Sequence, residues 1–283
     1  MSQTAQHEHE ARHEAEALAA DLPALLLDAR RLAAFAPGVH GRRRAGQGED
    51  FWQYRDHSAE DDARLIDWRR SARGERYFVR EREREAAQTG WFWIDDSAGF
   101  NWSSSPNLMS KRRRALAVSL ALAMLFNRAG ERIGALGQAS RAGPRAIERL
   151  ARDLLASSNA PPSPHGFILY ASDFYAPIEQ WRARLATAAS VGAKGALLMI
   201  ADPAEEDFPF TGRTRFTLPG GGEEIVLGRA EHAREEYARR LEAHRHSLRH
   251  MAANYGFNAI LHRTDHSAAP ALAALVALIA DHV

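Results

Sequence analysis

The sequence predicts an α/β protein: a mostly parallel sheet with helices on both faces, preceded by an N-terminal helix and an irregular arginine-rich extension. Three observations carry this. Several short segments, Trp91-Phe92-Trp93-Ile94 first among them, are continuously apolar, as strands buried on both sides are. From residue 91 onward, strand-like and helix-like segments alternate. Finally, 45% hydrophobic against 26% charged residues over 283 positions suits a chain with a large core.

The elements follow in order. Residues 1–12 read as a disordered polar tail. Residues 13–36 repeat Leu18, Leu22, Leu25, Leu26, Leu32 and Phe35 at helical spacing, and Pro37-Gly38 ends that helix. Residues 38–50, rich in arginine and glycine, read as an exposed loop. Residues 51–90 read as irregular, with a short strand at Tyr77–Arg80, and close an N-terminal extension over 13–90. Residues 91–283 then form the α/β domain. Its strands are 91–94, Arg132–Gly137, Gly166–Ala171, Ala196–Ile200 and Phe257–His262. Its helices are about Ser110–Ala129, 144–156, 177–190, Ala230–Tyr255 and Ala268–His282. Residues 205–229, with Gly220-Gly221-Gly222, read as a hairpin-like insertion.

Charge and composition exclude several classes. A net charge of +1 gives no global field for nucleic acid or anionic membrane. The absence of cysteine removes disulfides, thiolate nucleophiles and cysteine-held metals. Met1–Glu16 lacks the basic start and apolar core of a signal peptide. The most apolar run, Ala115–Phe126, is too short to span a bilayer. Because Lys111–Arg114 precedes it, a membrane-surface helix stands as the alternative to a buried one. The expectation is a cytoplasmic protein with no membrane span and no nucleic-acid partner.

Ligands of open α/β sheets bind at the carboxyl ends of the strands. Here those ends carry Asp95-Asp96-Ser97-Ala98-Gly99, Ser172-Asp173, Asp202 with Glu205, Glu206 and Asp207, and Thr264-Asp265-His266. Oxygen ligands from separate loops suit a hard cation such as magnesium. Asp and Ser also cap the helices that begin there, so capping and metal binding both stand for Asp95, Ser97 and Asp173.

Asp95-x-Ser97 after the first apolar strand, with Ser172-Asp173 after a later one, resembles the metal-ion-dependent adhesion site of von Willebrand factor A domains. Upstream, Gly46–Phe51, Tyr54-Arg55 and the run Asp61-Asp62-x-Arg64-x-Ile66-Asp67-Trp68-Arg69-x-Ser71-Ala72-Arg73 resemble the signature of the domain of unknown function 58 family. The resemblance covers roughly residues 30–280. It implies a von Willebrand factor A-like (Rossmann-like) fold and an adaptor role beside MoxR-type AAA+ ATPases. It also implies a magnesium site of Asp95, Ser97 and Asp173. Two features depart from that pattern. Gly99 stands where a second serine belongs, and the loop Gln138–Pro144 has no threonine, with Ser140 as its only substitute. Each lost oxygen weakens a magnesium site, so metal binding is expected to be weak or absent.

The signature residues Arg55, Asp61, Asp62, Arg64, Asp67, Trp68, Arg69, Ser71 and Arg73 allow two readings. Either they form internal ion pairs with Ile66 and Trp68 as apolar anchors, or the arginines recognise carboxylate or phosphate on a partner. Of thirteen histidines, His244, His246 and His250 share one helix, as a solvated face or as a weak zinc signal. The function expected is non-enzymatic protein binding with a AAA+ ATPase partner. The alternative is a metal-dependent hydrolase on the acidic strand ends, with His266 as base.

Overall fold

The computed structural model describes residues 26, 29–31, 33, 42–58, 66–72, 76–86, 89–155, 166–217 and 224–282. They fall into two compact units, one within residues 40–88 and one comprising the rest. The polar tail, the Ser157–Pro164 loop, Gly220–Gly222 and most of the N-terminal helix lie outside the described residues.

The smaller unit contains β1 (Arg42–Asp56), the short helix α1 (Trp68–Ser71) and β2 (Phe78–Ala86). β1 and β2 pair antiparallel along most of their length, with register shifts between Gly46 and Phe51 and between Phe51 and Gln53. This corrects the reading of 38–50 as a loop and 51–90 as irregular. The strands escape notice because they carry little apolar alternation. Their period-two signal is in charge sign, Arg80-Glu81-Arg82-Glu83-Arg84-Glu85, and glycines that read as turns accompany an irregular ladder.

The larger unit runs β3 (Thr89–Ile94), α2 (Lys111–Arg128), β4 (Arg132–Ala135), α3 (Ala146–Leu155), β5 (Phe167–Ser172), α4 (Ile178–Ser190), β6 (Lys194–Ala201) and α5 (Pro203–Asp207). After these come β7 (Thr214–Thr217), β8 (Glu224–Leu227), α6 (Arg234–Asn254), β9 (Phe257–Arg263) and α7 (Ala269–His282). The central sheet has the order β4-β3-β5-β6-β9, parallel throughout. The α/β class with a parallel sheet is thus observed, and 205–229 does contain a hairpin, β7–β8.

Successive strand residues point to opposite faces, and the core divides accordingly. Phe92, Ile94, Leu169, Ala171, Leu198 and Ile200 face one cluster with residues of α2, α3 and α7. Trp91, Ile168, Tyr170, Leu197 and Met199 face the other with residues of α4 and α6. α2 lies over the middle of the sheet, against β3, β4, β5 and β6. Its alanine- and leucine-rich run is strongly helix-forming, and Ser110 caps it by accepting the Arg113 amide at 3.3 Å. Every residue from Ala115 to Phe126 is buried, so this is a core helix and not a membrane-surface one. Among the described residues, no helix is long and apolar enough to cross a membrane.

From β3 the chain first adds β4 on one side and then β5 on the other. The strand order therefore reverses between β3 and β5, which opens a crevice at their carboxyl ends.

Candidate functional site

Loops converge on that crevice. The β3 loop brings Asp95, Asp96, Ser97 and Gly99, the β5 loop brings Asp173 and Tyr175, and α5 brings Glu205. With Trp93, Trp102, Lys111, Trp181 and Arg184 they line a cleft of about 470 Å³. Sequence reasoning placed Asp95, Ser97 and Asp173 at one rim, and the fold brings all three into one cleft.

Local hydrogen bonds fix the loops. Asp95 accepts the Ser97 amide on Oδ1 at 2.8 Å and the Ser172 hydroxyl on Oδ2 at 2.5 Å. The Ser172 hydroxyl in turn accepts the Phe174 amide at 3.0 Å. Phe174 sits at φ 61°, a left-handed conformation that costs a bulky residue about 1–3 kcal/mol. Its buried ring, 4.4 Å from that of Trp181, helps to offset this cost. His244 meets the Phe174 carbonyl at 2.8 Å, so it belongs to this support and not to a solvated face. His246 and His250 are exposed.

The residue that sequence reasoning missed is Lys111. It begins α2 with only 1% of its side chain exposed. Its ammonium donates to Asp173 Oδ2 at 2.8 Å and to Glu205 Oε1 at 2.5 Å, and lies 5.4 Å from the centre of the Tyr175 ring. Burial alone would lower its pKa, but the charges of Asp173 and Glu205 and their hydrogen bonds reverse this, leaving it above the ordinary value. Burial pushes Glu205 up, and Lys111 and the Asp202 amide only partly pull it back. The sequence did hold a signal: four basic residues, Lys111–Arg114, open a helix whose N-terminal dipole disfavours cations.

The remaining strand-end acids are mostly spoken for. Asp202 is fully buried and caps α5 through Ala204, while its other oxygen accepts the Ser104 amide of the β3 loop at 2.9 Å. Glu206 pairs with the buried Arg245, and Asp207 and Asp265 share Arg263. Asp96 differs. It is exposed, and among the described residues no hydrogen bond or ion pair engages it. Trp102 and Tyr175, which line the same cleft, are 37% and 42% exposed. Arg184 lies over Trp93 and Trp181, at 4.3 and 5.1 Å from their ring centres.

The donors do not fit a divalent ion as they stand. Asp173 gives Oδ2 to an ammonium, and Gly99 offers no hydroxyl. A dication about 4 Å from that ammonium would be repelled by about 8 kcal/mol at an effective dielectric of about 20. Ser140, the substitute for the missing threonine, accepts from Arg132 Nε at 3.0 Å and does not line the cleft. Among the described residues, no group of three or more Asp, Glu or His is placed to hold a metal. His266 does not line the cleft either.

The signature lies in the smaller unit. Asp67 caps α1 by accepting the Arg70 amide at 3.1 Å. The buried Ser71 hydroxyl donates to the Asp67 carbonyl and accepts the Phe78 amide, both at 2.9 Å, which ties α1 to β2. Ile66 is buried and bridges to Val79. Trp68, one of the two apolar anchors of the structural reading, is 60% exposed with its ring edge-on to Tyr77. Arg69 is exposed, and Arg55 sits in β1 opposite Val79. Asp61, Asp62, Arg64 and Arg73 lie outside the described residues.

A doubly wound parallel sheet with a lined cleft at its switch point defines a Rossmann-like α/β protein. The chain belongs to the family described as protein of unknown function DUF58, whose sequence model matches residues 53–247. No curated protein and no solved structure matches it.

Proposed function

We propose that this chain is a von Willebrand factor A-like protein-interaction module, and that the cleft at its switch point receives a basic side chain from a protein partner. The observation that carries this reading is Asp96. It is exposed, no ion pair among the described residues engages it while the other acids of the rim have partners, and two half-exposed aromatic rings line the same cleft. A guanidinium or ammonium there gains a charge-assisted hydrogen bond and an aromatic face. The family resemblance suggests a AAA+ ATPase of the MoxR type as the partner. The hydrolase reading draws less support, since His266, its proposed base, does not line the cleft.

Co-purification with such an ATPase from the same cell tests this. The native chain is expected to retain it. Asp96→Lys and Trp102→Ala should weaken the complex about tenfold or more, as expected for one lost charge-assisted contact. Equal retention by all three would refute the cleft as the docking site.

A further inference from the structure

We propose that the Lys111 ammonium is the resident cation of the cleft, a tethered replacement for a divalent ion. This goes beyond the docking reading and does not depend on it. A metal in such a crevice would join acidic loops that follow different strands. Lys111 does the same from the start of α2, joining Asp173 of the β5 loop to Glu205 of α5. The ammonium is nearly sealed from solvent, so its charge is held in place by the fold and not by an equilibrium with free ions. Two of its three N–H donors meet the two carboxylates, and its positive charge faces the Tyr175 ring. The basic run at the start of α2, unfavourable for the helix alone, acquires a reason at its first position.

The inference makes dication and ammonium mutually exclusive. Removing the amine while keeping the stem should leave Asp173 and Glu205 facing each other, a pair of carboxylates that a hard cation can bridge. The experiment is calorimetric titration with calcium and with magnesium, alongside thermal unfolding in EDTA and in millimolar cation. It uses the native chain, Lys111→Met and Lys111→Met/Asp173→Asn. The native chain should show no saturable binding and no shift in Tm. Lys111→Met should gain 1:1 binding at about 10⁻³ M or tighter, the weak end of carboxylate calcium sites, and a higher Tm in cation. The double variant should lose both. If Lys111→Met does not fold alone, it is refolded with and without calcium: recovery only with calcium supports the proposal, and failure in both overturns it. One-to-one binding by the native chain that Asp173→Asn abolishes would also overturn it, as would a folded Lys111→Met indifferent to both ions.

Discussion

At the scale of single residues, Lys111 and Asp96 differ in kind although both line the same cleft. Lys111 is buried with two carboxylates, and removing one member of such a group strands the others. Lys111→Met is therefore expected to lose about 3–5 kcal/mol of stability in denaturant titration. Asp96 is exposed and unpaired among the described residues, so Asp96→Ala should change stability by no more than about 0.5 kcal/mol. A variant that hardly touches the fold yet weakens binding is the mark of a contact residue. Legibility follows the same division. Asp95, Ser97 and Asp173 could be found because each follows an apolar run whose end marks a strand end, and strand ends are where such sheets bind. For Lys111 the basic run at the start of α2 marks an anomaly but not its cause, because its partners lie 62 and 94 positions away.

At the scale of elements, the larger unit was readable because each strand and helix is punctuated by composition. α2 was ambiguous only in its destination, since an apolar run behind four basic residues suits a core or a membrane surface equally. Burial against four strands decides for the core. Its cap is a local test: Ser110→Ala should cost about 1 kcal/mol. A sharper test lies between β5 and β6. A Cβ on Gly195 would collide with the Ile168 carbonyl oxygen, so the strands approach too closely for any side chain there. Gly195→Ala should destabilise by about 3 kcal/mol through forced separation of two central strands. The β1–β2 pair was missed because hydrophobic periodicity is the main strand signal and this ladder has little of it.

At the scale of the whole molecule, acid is a predicted weakness. His262 on β9 is buried, and burial, helped by Arg114 and His266, pushes its pKa down from 6.5 to about 4. The folded state therefore resists a proton that the unfolded chain accepts. Its contribution to stability is full above pH 6.5 and is lost as pH falls toward 4. The loss is on the order of 3 kcal/mol, and His262→Leu should flatten that window in urea titrations. The architecture places the candidate site elsewhere. A doubly wound sheet leaves one crevice where its strand order reverses, and three loops distant in sequence must meet there. Asp202 helps to hold them together by capping α5 and binding the β3 loop at once.

The most direct measurement is the affinity of the native chain for a nucleotide-free MoxR-type AAA+ ATPase from the same cell, the proposed partner, first in EDTA and then in magnesium, with Asp96→Lys beside it. A tethered cation and a cleft that docks a basic side chain predict the same Kd in both buffers, and a loss with Asp96→Lys in both. Binding that requires magnesium and disappears in Asp95→Ala would make the cleft a metal-dependent site. Binding that ignores Asp96→Lys would place the partner on another surface.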